Sequence, residues 1–395
     1  MEQALDNIKV LDLTRVLAGP YATMILADLG AEIIKIEMPN TGDDSRGFGP
    51  YVGEESAYFM SINRNKKSMT LNLKSEKGKE IFIELIKEVD VVVENFRPGT
   101  MEKLGLGYEY LNTINPKLIY AAISGYGHTG PYSQRAAYDA VVQAMGGIMS
   151  ITGQEGGKPT RVGTSVGDIS AGIFGAVGIL AALSNRVKTG KGQKVDVAML
   201  DCQVAMLENA VARYFVTNEV PRPNGNRHPS IVPFESFDTA DGEIMVAAGN
   251  NSLWTILCDA LEAPELAKDE RFCENPLRND NYDELRPLLT PLFQKKTTKE
   301  WSELLDHVGV PNSPINSIDK VVSDPQVIAR DMIVEVDHPV AGKFKMPGIP
   351  IKLSDTPGAI KMPAPTLGQH TEEILEKYFG YDKETVEKLT EEGVL

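Results

Sequence analysis

Short runs of β-branched, apolar residues alternate with helical stretches over roughly the first 200 residues of this chain, and that rhythm constrains its fold most. Ile8 to Leu13 reads as a buried strand. Pro20 then opens a helix through Leu29, and Gly30 stops it. Glu32 to Glu37 is a second strand and Ser68 to Leu73 a third, and Ser75 caps a helix that runs to about Val89. Asp90 to Glu94, with Val91, Val92 and Val93, and Leu118 to Ile123 continue the pattern. Strands that alternate with helices pair in parallel and are covered on both faces. Such sheets hold ligands beyond the carboxyl ends of their strands. The expected class is α/β with a mostly parallel, Rossmann-like sheet.

Asp168 to Asn185 reads as an apolar helix punctuated by glycine. A KTGKGQ turn, a strand from Val195 to Met199 and a second apolar helix from Leu200 to Thr217 follow. The texture changes near Asn218, where PRPNGNRHP is loop-like. ESFDT and EIMVAA flank Asp241-Gly242 as a hairpin, and Thr297 with Glu300 forms a capping box. A length of 395 residues suits two domains better than one core. The reading assigns 1–218 to a large domain, 225–330 to a smaller α+β domain, and 331–395 to a C-terminal segment that returns to the large one.

The net charge of −15 disfavours a nucleic-acid partner. Cys202, Cys258 and Cys273 form no CxxC or Cys/His pattern, so neither a metal site nor a disulfide framework is expected. MEQALDNIKV lacks the basic and apolar regions of a secretory leader. The most apolar stretch, Ile169 to Leu183, is diluted by glycines, and no membrane span is expected. A cytoplasmic enzyme follows as the expectation.

Three segments hold candidate chemistry. In VLDLTRVLAGPYA, residues 10–22, a strand runs into a turn and a helix start whose N–H groups suit an anion. Val16-Leu17-Ala18-Gly19 stands where a dinucleotide fold has GxGxxG, which disfavours NAD. In VVVENFRPGTMEKLGLGYEYL, residues 91–111, Asn95, Arg97 and Lys103 follow a buried strand and suit phosphates. In RVGTSVGDISAGIFGAVGILAAL, residues 161–183, Asp168 sits at a helix start whose dipole favours the ionised carboxylate. Gly163, Gly167 and Gly172 clear side chains from around it. Each segment alone also has an ordinary reading: a βα loop, a solvated turn, an aspartate N-cap. GxSxG, P-loop and HExxH signatures are absent.

Taken together and in order, these segments resemble the class III (CaiB/BaiF-type) CoA-transferases, the family of formyl-CoA transferase and carnitine CoA-transferase. RNKKSMTLNLKSEKGKE, SGYGHTGPYS and PTLGQHTEEIL add further blocks, so the resemblance spans nearly the whole chain. It implies a Rossmann-like large domain, a smaller one and an interlocked homodimer. It implies CoA transfer from an acyl-CoA to a small carboxylic acid, with coenzyme A as substrate and no permanently bound cofactor. Asp168 matches the catalytic aspartate, which forms an aspartyl anhydride and then an aspartyl-CoA thioester. Val16, Leu17 and Ala18 match a loop at the thioester end of CoA. Lys74, Asn95, Phe96, Arg97 and Lys103 match positions around the nucleotide and phosphates, and Tyr126 matches an active-site tyrosine.

Leu17, Met38 and Ser124 depart from formyl-CoA transferase, which has glutamine, arginine and lysine there, and its tetraglycine loop has no counterpart. These departures argue against an oxalate/formate pair. The superfamily also contains α-methylacyl-CoA racemases, which pair the aspartate with a histidine. In the block AAYDAVVQAMGG that position is Tyr138, and a phenol is a poor base at neutral pH. Racemase and non-catalytic acyl-CoA binder remain the alternatives to transferase.

Overall fold

The computed structural model describes residues 2–395. Its main sheet has six strands: β1 (Lys9–Asp12), β2 (Glu32–Glu37), β3 (Lys66–Thr70), β4 (Val91–Glu94), β5 (Ile119–Ser124) and β6 (Lys194–Ala198). They lie in the order β3-β2-β1-β4-β5-β6 and every pairing is parallel. Val10 of β1 stands opposite Ile33 on one side and Val91 on the other. From β1 the chain builds outward to β3, then returns to the centre and builds the other way. The loops after β1 and β4 therefore diverge and open a crevice at the switch point.

Every residue of β4 and β5 is buried, as a sheet covered on both faces requires. Alternate side chains feed two cores. Leu11, Ile34, Val92 and Tyr120 pack with Ile81, Phe82 and Leu85 of α2 (Glu76–Glu88) and with the C-terminal helices Thr371–Phe379 and Lys383–Glu391. Val10, Ile33, Val93 and Ala121 pack with α1 (Ala18–Asp28) and α4 (Val166–Thr189) on the other face. The short α3 (Asp139–Met145) precedes α4. The Ser75 hydroxyl accepts the Gly78 N–H at 3.0 Å, so the expected cap of α2 is present.

Two expectations change. The helix carrying Asp168 spans 24 residues and is long and apolar enough to cross a membrane by length and composition. Ala171, Ala176, Ile179 and Ala182 are nevertheless buried beside the sheet, as in a core helix. The single helix expected over 200–217 is two: α5 (Met199–Met206) and α6 (Glu208–Thr217), broken where Glu208 adopts a φ of 27°.

The chain divides into two compact units. The first runs to Ile148 and includes Arg161–Val216 and Gln326–Leu395; the second comprises Met149–Thr160 and Thr217–Pro325. Residues 149–160 thus fall outside the unit that the sequence reading gave them. The Thr160 N–H donates to the Thr152 carbonyl and the Gly225 N–H to Gly153, which ties this excursion to the loop after 217. The second unit holds an antiparallel sheet of Phe234–Asp238, Glu243–Ala247 and Asn312–Pro314 around a core of Phe237, Trp254, Phe293 and Trp301.

Beneath the carboxyl ends of β1 to β3 lies a buried network of opposite charges. Asp12 meets Lys66 at 3.1 Å and Lys35 meets Asp43 at 2.9 Å, and all four side chains are fully enclosed. Lys35 also donates to the Thr14 carbonyl at 2.7 Å, and the Thr23 hydroxyl donates to Asp12 at 2.6 Å. Arg46 grips Glu37 with two bonds of 2.7 Å. Burial pushes the Asp12 carboxyl up, but Lys66, Lys35 and the Thr14 and Thr23 hydroxyls outweigh it and hold it below the usual range. Burial wins at Lys66, which falls to about 8 despite Asp12.

Removing one partner of such a pair strands the other charge without water. Asp12→Ala should therefore lower unfolding free energy in urea by about 3–5 kcal/mol. The double change Asp12→Leu with Lys66→Met should recover most of that loss, because the desolvation cost disappears with both charges.

Candidate active site

The loop after β1 is held in an unfavourable shape. Val16 has a φ of 67°, a left-handed conformation that costs a β-branched residue roughly 1–3 kcal/mol. Its N–H donates to Asp43 Oδ1 at 3.0 Å, so the buried network fixes the strained residue. The helix that follows starts at Ala18, two residues before the expected Pro20, and no side chain caps it. The Ala18 and Gly19 N–H groups, at the first two helical positions, have no intrahelical partner.

Asn95 joins this loop to the one after β4. Its Oδ1 accepts the Arg15 N–H at 2.8 Å and its Nδ2 donates to the Arg15 carbonyl at 2.7 Å. The Arg15 guanidinium pairs with Asp44 at 3.1 Å and lies 5.5 Å from the centre of the Phe96 ring. The Phe96 N–H donates in turn to Glu94 Oε2 at 2.8 Å. Burial pushes this Glu94 carboxyl up to about 7.

Asp168 occupies the third position of α4, with Ser165 as the N-cap residue, so the plain N-cap reading fails. Ser165 makes no side-chain capping bond. Asp139, at the start of α3, does that work: its Oδ1 accepts the Gly167 N–H at 2.8 Å. The expected role of the glycines also changes. A Cβ on Gly167 would meet Val142 Cγ2 at 2.9 Å and Asp139 Oδ1 at 3.0 Å, and one on Gly172 would meet the Ala18 carbonyl at 2.8 Å. Both permit close packing of helices rather than clearance for a ligand; Gly163 does face open space. The crossing at Gly172 sets the first turn of α4 beside the first turn of α1. The helix dipole does not dominate at Asp168, because burial and then the Asp139 charge push its carboxyl up to about 7.

Two cavities meet at the switch point, sharing Arg15, Asp44 and Phe96. One, of about 270 Å³, gathers Val16, Leu17, Ala18, Asn95, Phe96, Arg97 and Asp168, seven of the ten residues singled out from sequence. The other, of about 370 Å³, has apolar walls of Leu13, Ile36, Leu71, Leu73 and Leu104, with Lys74 and Met38 among its lining. Lys103 is exposed on the turn after Gly99 and lines neither. Tyr126 lines a separate cavity, edge-on to Tyr132.

Sequence reasoning passed over Arg15, Tyr58 and Arg135. Arg15 and Arg135 line the Asp168 cavity. The Arg135 guanidinium sits 3.9 Å from the centre of the Tyr132 ring. The Tyr58 hydroxyl is pushed up to about 12 by burial and by the charges of Asp168, Asp43 and Asp139. Arg15 adjoins Val16 and was open to inference; nothing in the chain around Tyr58 signals its place. Among the described residues, no group of three or more His, Cys, Asp or Glu side chains is arranged to hold a metal ion.

A carboxyl that titrates at about 7 when folded and at 3.8 when free favours the unfolded state as pH rises through that window. Asp168→Asn removes the cost. Its melting temperature should match that of the parent near pH 3.5, exceed it increasingly up to about pH 7, and then hold a constant margin. A margin independent of pH would show that the carboxyl titrates normally.

Residues 5–371 match the model of CoA-transferase family III. The chain is 44% identical to human succinyl-CoA:glutarate CoA-transferase, over 99% of this chain and 90% of that one. It is 45% identical to acetyl-CoA:oxalate CoA-transferase of Acetobacter aceti, over 90% and 92% respectively. A crystal structure of a CaiB/BaiF family protein from Brucella suis superposes with a TM-score of 0.84 at 39% identity, covering 96% of this chain and all of that one. With a superposing fold and similarity along nearly its whole length, the chain belongs to CoA-transferase family III.

Proposed function

We propose that this enzyme moves CoA from an acyl-CoA to a small dicarboxylic acid, with Asp168 as covalent nucleophile. One observation carries the reading. The Asp168 carboxylate shares a cavity with the uncapped start of α1, beside a larger apolar cavity, at the switch point of the sheet. The larger cavity suits the flat adenine, with Lys74 and Arg97 for phosphates. The smaller one suits the thioester. Two relatives whose printed names give succinate, glutarate and oxalate support a dicarboxylic acid.

The chemistry balances without ATP. Asp168 attacks the acyl carbonyl, forming a mixed anhydride and expelling CoA thiolate. The thiolate attacks the aspartyl carbonyl, forming an aspartyl-CoA thioester and releasing the donor acid. The acceptor carboxylate then attacks that thioester, giving a new anhydride and thiolate. Thiolate attack on the acceptor's acyl carbon yields the new acyl-CoA and frees Asp168. Splitting the exchange in this way keeps each barrier low. The Ala18 and Gly19 N–H groups are the natural donors to each oxyanion. The Asp168 carboxyl, at about 7, is partly ionised at neutral pH and more basic than a free carboxylate, which favours attack. The racemase alternative lacks its base: Tyr138 precedes Asp139, and its side chain is 75% exposed.

The active unit is a homodimer in this proposal. On α6 no residue is buried, and Phe215 and Val216 are 75% and 84% exposed; Ile173, Phe174 and Val177 of α4 are exposed as well. An apolar face of this extent wants a partner, and a second copy of the chain supplies one.

Asp168→Ala should cut transfer by about 10⁴-fold or more while leaving the calorimetric affinity for CoA unchanged. Surviving transfer would refute the nucleophile. Arg97→Ala should raise KM for acyl-CoA by roughly tenfold or more with kcat little altered, as loss of one charge-assisted hydrogen bond implies. Sedimentation should give twice the chain mass; a monomer with full activity would exclude the dimer.

A further inference from the structure

Asp139 makes no direct approach to the cleft, yet it is tied to the nucleophile from two sides. Its side chain is 10% exposed. Oδ1 accepts the Gly167 N–H at 2.8 Å, one residue before Asp168. Oδ2 accepts from Gln143 Nε2 at 2.7 Å. Gln143 in turn accepts the Val162 N–H at 2.8 Å through Oε1. The carboxylate is thus clamped by its own helix, by the first turn of α4 and by the strand of chain that leads into it. An Arg161 nitrogen lies 3.9 Å from Oδ2 on an exposed side chain, too far and too solvated to neutralise it.

We propose that Asp139 is a positioning residue for Asp168: one oxygen pins the first turn of the helix that carries the nucleophile, and its fixed negative charge, held beside Asp168, tunes how readily that carboxylate attacks. The inference rests on the reading of Asp168 as nucleophile. Two like charges in a half-enclosed space each disfavour ionisation of the other. Asp139 is stabilised by a backbone N–H and an amide, whereas Asp168 is left with burial and repulsion alone. The two carboxyls are therefore held differently: hydrogen bonds fix Asp139, whereas burial and repulsion act on Asp168. The remaining groups around Asp168 are Tyr58, Tyr138, Asp44 and the guanidiniums of Arg15, Arg97 and Arg135. Arg15 is engaged by Asp44 and Arg135 rests on Tyr132. Among the charges near it, Asp139 is the one that pushes the Asp168 carboxyl up. A more basic carboxylate is the stronger nucleophile, so this placement raises its reactivity once ionised.

The test is the pH profile of kcat/KM for transfer from succinyl-CoA to glutarate, measured on the full chain at constant ionic strength. The parent's acid limb should fall near pH 7, where Asp168 loses its proton. Asp139→Asn keeps an acceptor for the Gly167 N–H and removes the charge. Its limb should move down by about one pH unit and its plateau should drop. Arg161→Gln changes only an exposed, distant counter-charge and serves as the control; its limb should stay in place. A lower rate for Asp139→Asn with an unmoved limb would reduce Asp139 to a structural cap and overturn the inference. Should Asp139→Asn fail to fold, Asp139→Ser decides in its place: its hydroxyl oxygen can still accept the Gly167 N–H without the charge, and a limb that stays in place refutes the coupling. Asp168→Ala separates the two readings. If that variant still transfers CoA, the nucleophile assignment fails; if it is dead while the limb of the Asp139 variant stays put, only the role of Asp139 fails.

Discussion

The active cleft depends on charges that water never reaches. Asp12, Lys66, Lys35 and Asp43 are enclosed beneath the carboxyl ends of β1 to β3, at a desolvation cost that only mutual pairing offsets. What the protein gains is a fixed loop. Lys35 holds the Thr14 carbonyl, and Asp43 holds the N–H of Val16 in a conformation that valine avoids. An apolar core would pack as tightly but has no directional groups with which to pin a strained peptide. The loop so fixed delivers the N-terminus of α1, with two free N–H groups, to the point where Asp168 arrives on α4.

Two further constraints make that meeting possible. The β3-β2-β1-β4-β5-β6 order splays the loops after β1 and β4, and Asn95 reaches back across the gap to bind both peptide groups of Arg15. Gly172 lets α4 come within contact of the Ala18 carbonyl. Each contact is local and modest. Together they set one carboxylate, a pair of backbone donors and an apolar cavity on a rigid frame, which is what covalent transfer of a thioester needs.

Much of this was legible in the sequence. Apolar, largely β-branched runs marked all six parallel strands, five of them to within one residue at each end; the third, read as Ser68 to Leu73, runs from Lys66 to Thr70. Ser75 and the Thr297–Glu300 box announced their helix starts because capping is a contact between near neighbours. The three segments that follow β1, β4 and the 161–167 loop converge on one cavity as expected. What escaped is non-local. Asp139 caps a helix 28 residues away, and Tyr58 feels the charge of three carboxylates from a segment with no distinguishing pattern. The break at Glu208 carries no glycine or proline to mark it. The state of Asp168 was misjudged because a helix dipole can be read from position, whereas burial and a like charge on another helix cannot.

A trapping experiment asks the central question directly. The protein would be incubated with succinyl-CoA, quenched with hydroxylamine, digested and sequenced by mass spectrometry. Formation of an aspartyl thioester predicts a hydroxamate at Asp168, present only when acyl-CoA was added. Transfer that proceeds with Asp168 unmodified, or a hydroxamate on a different carboxylate, would contradict the account.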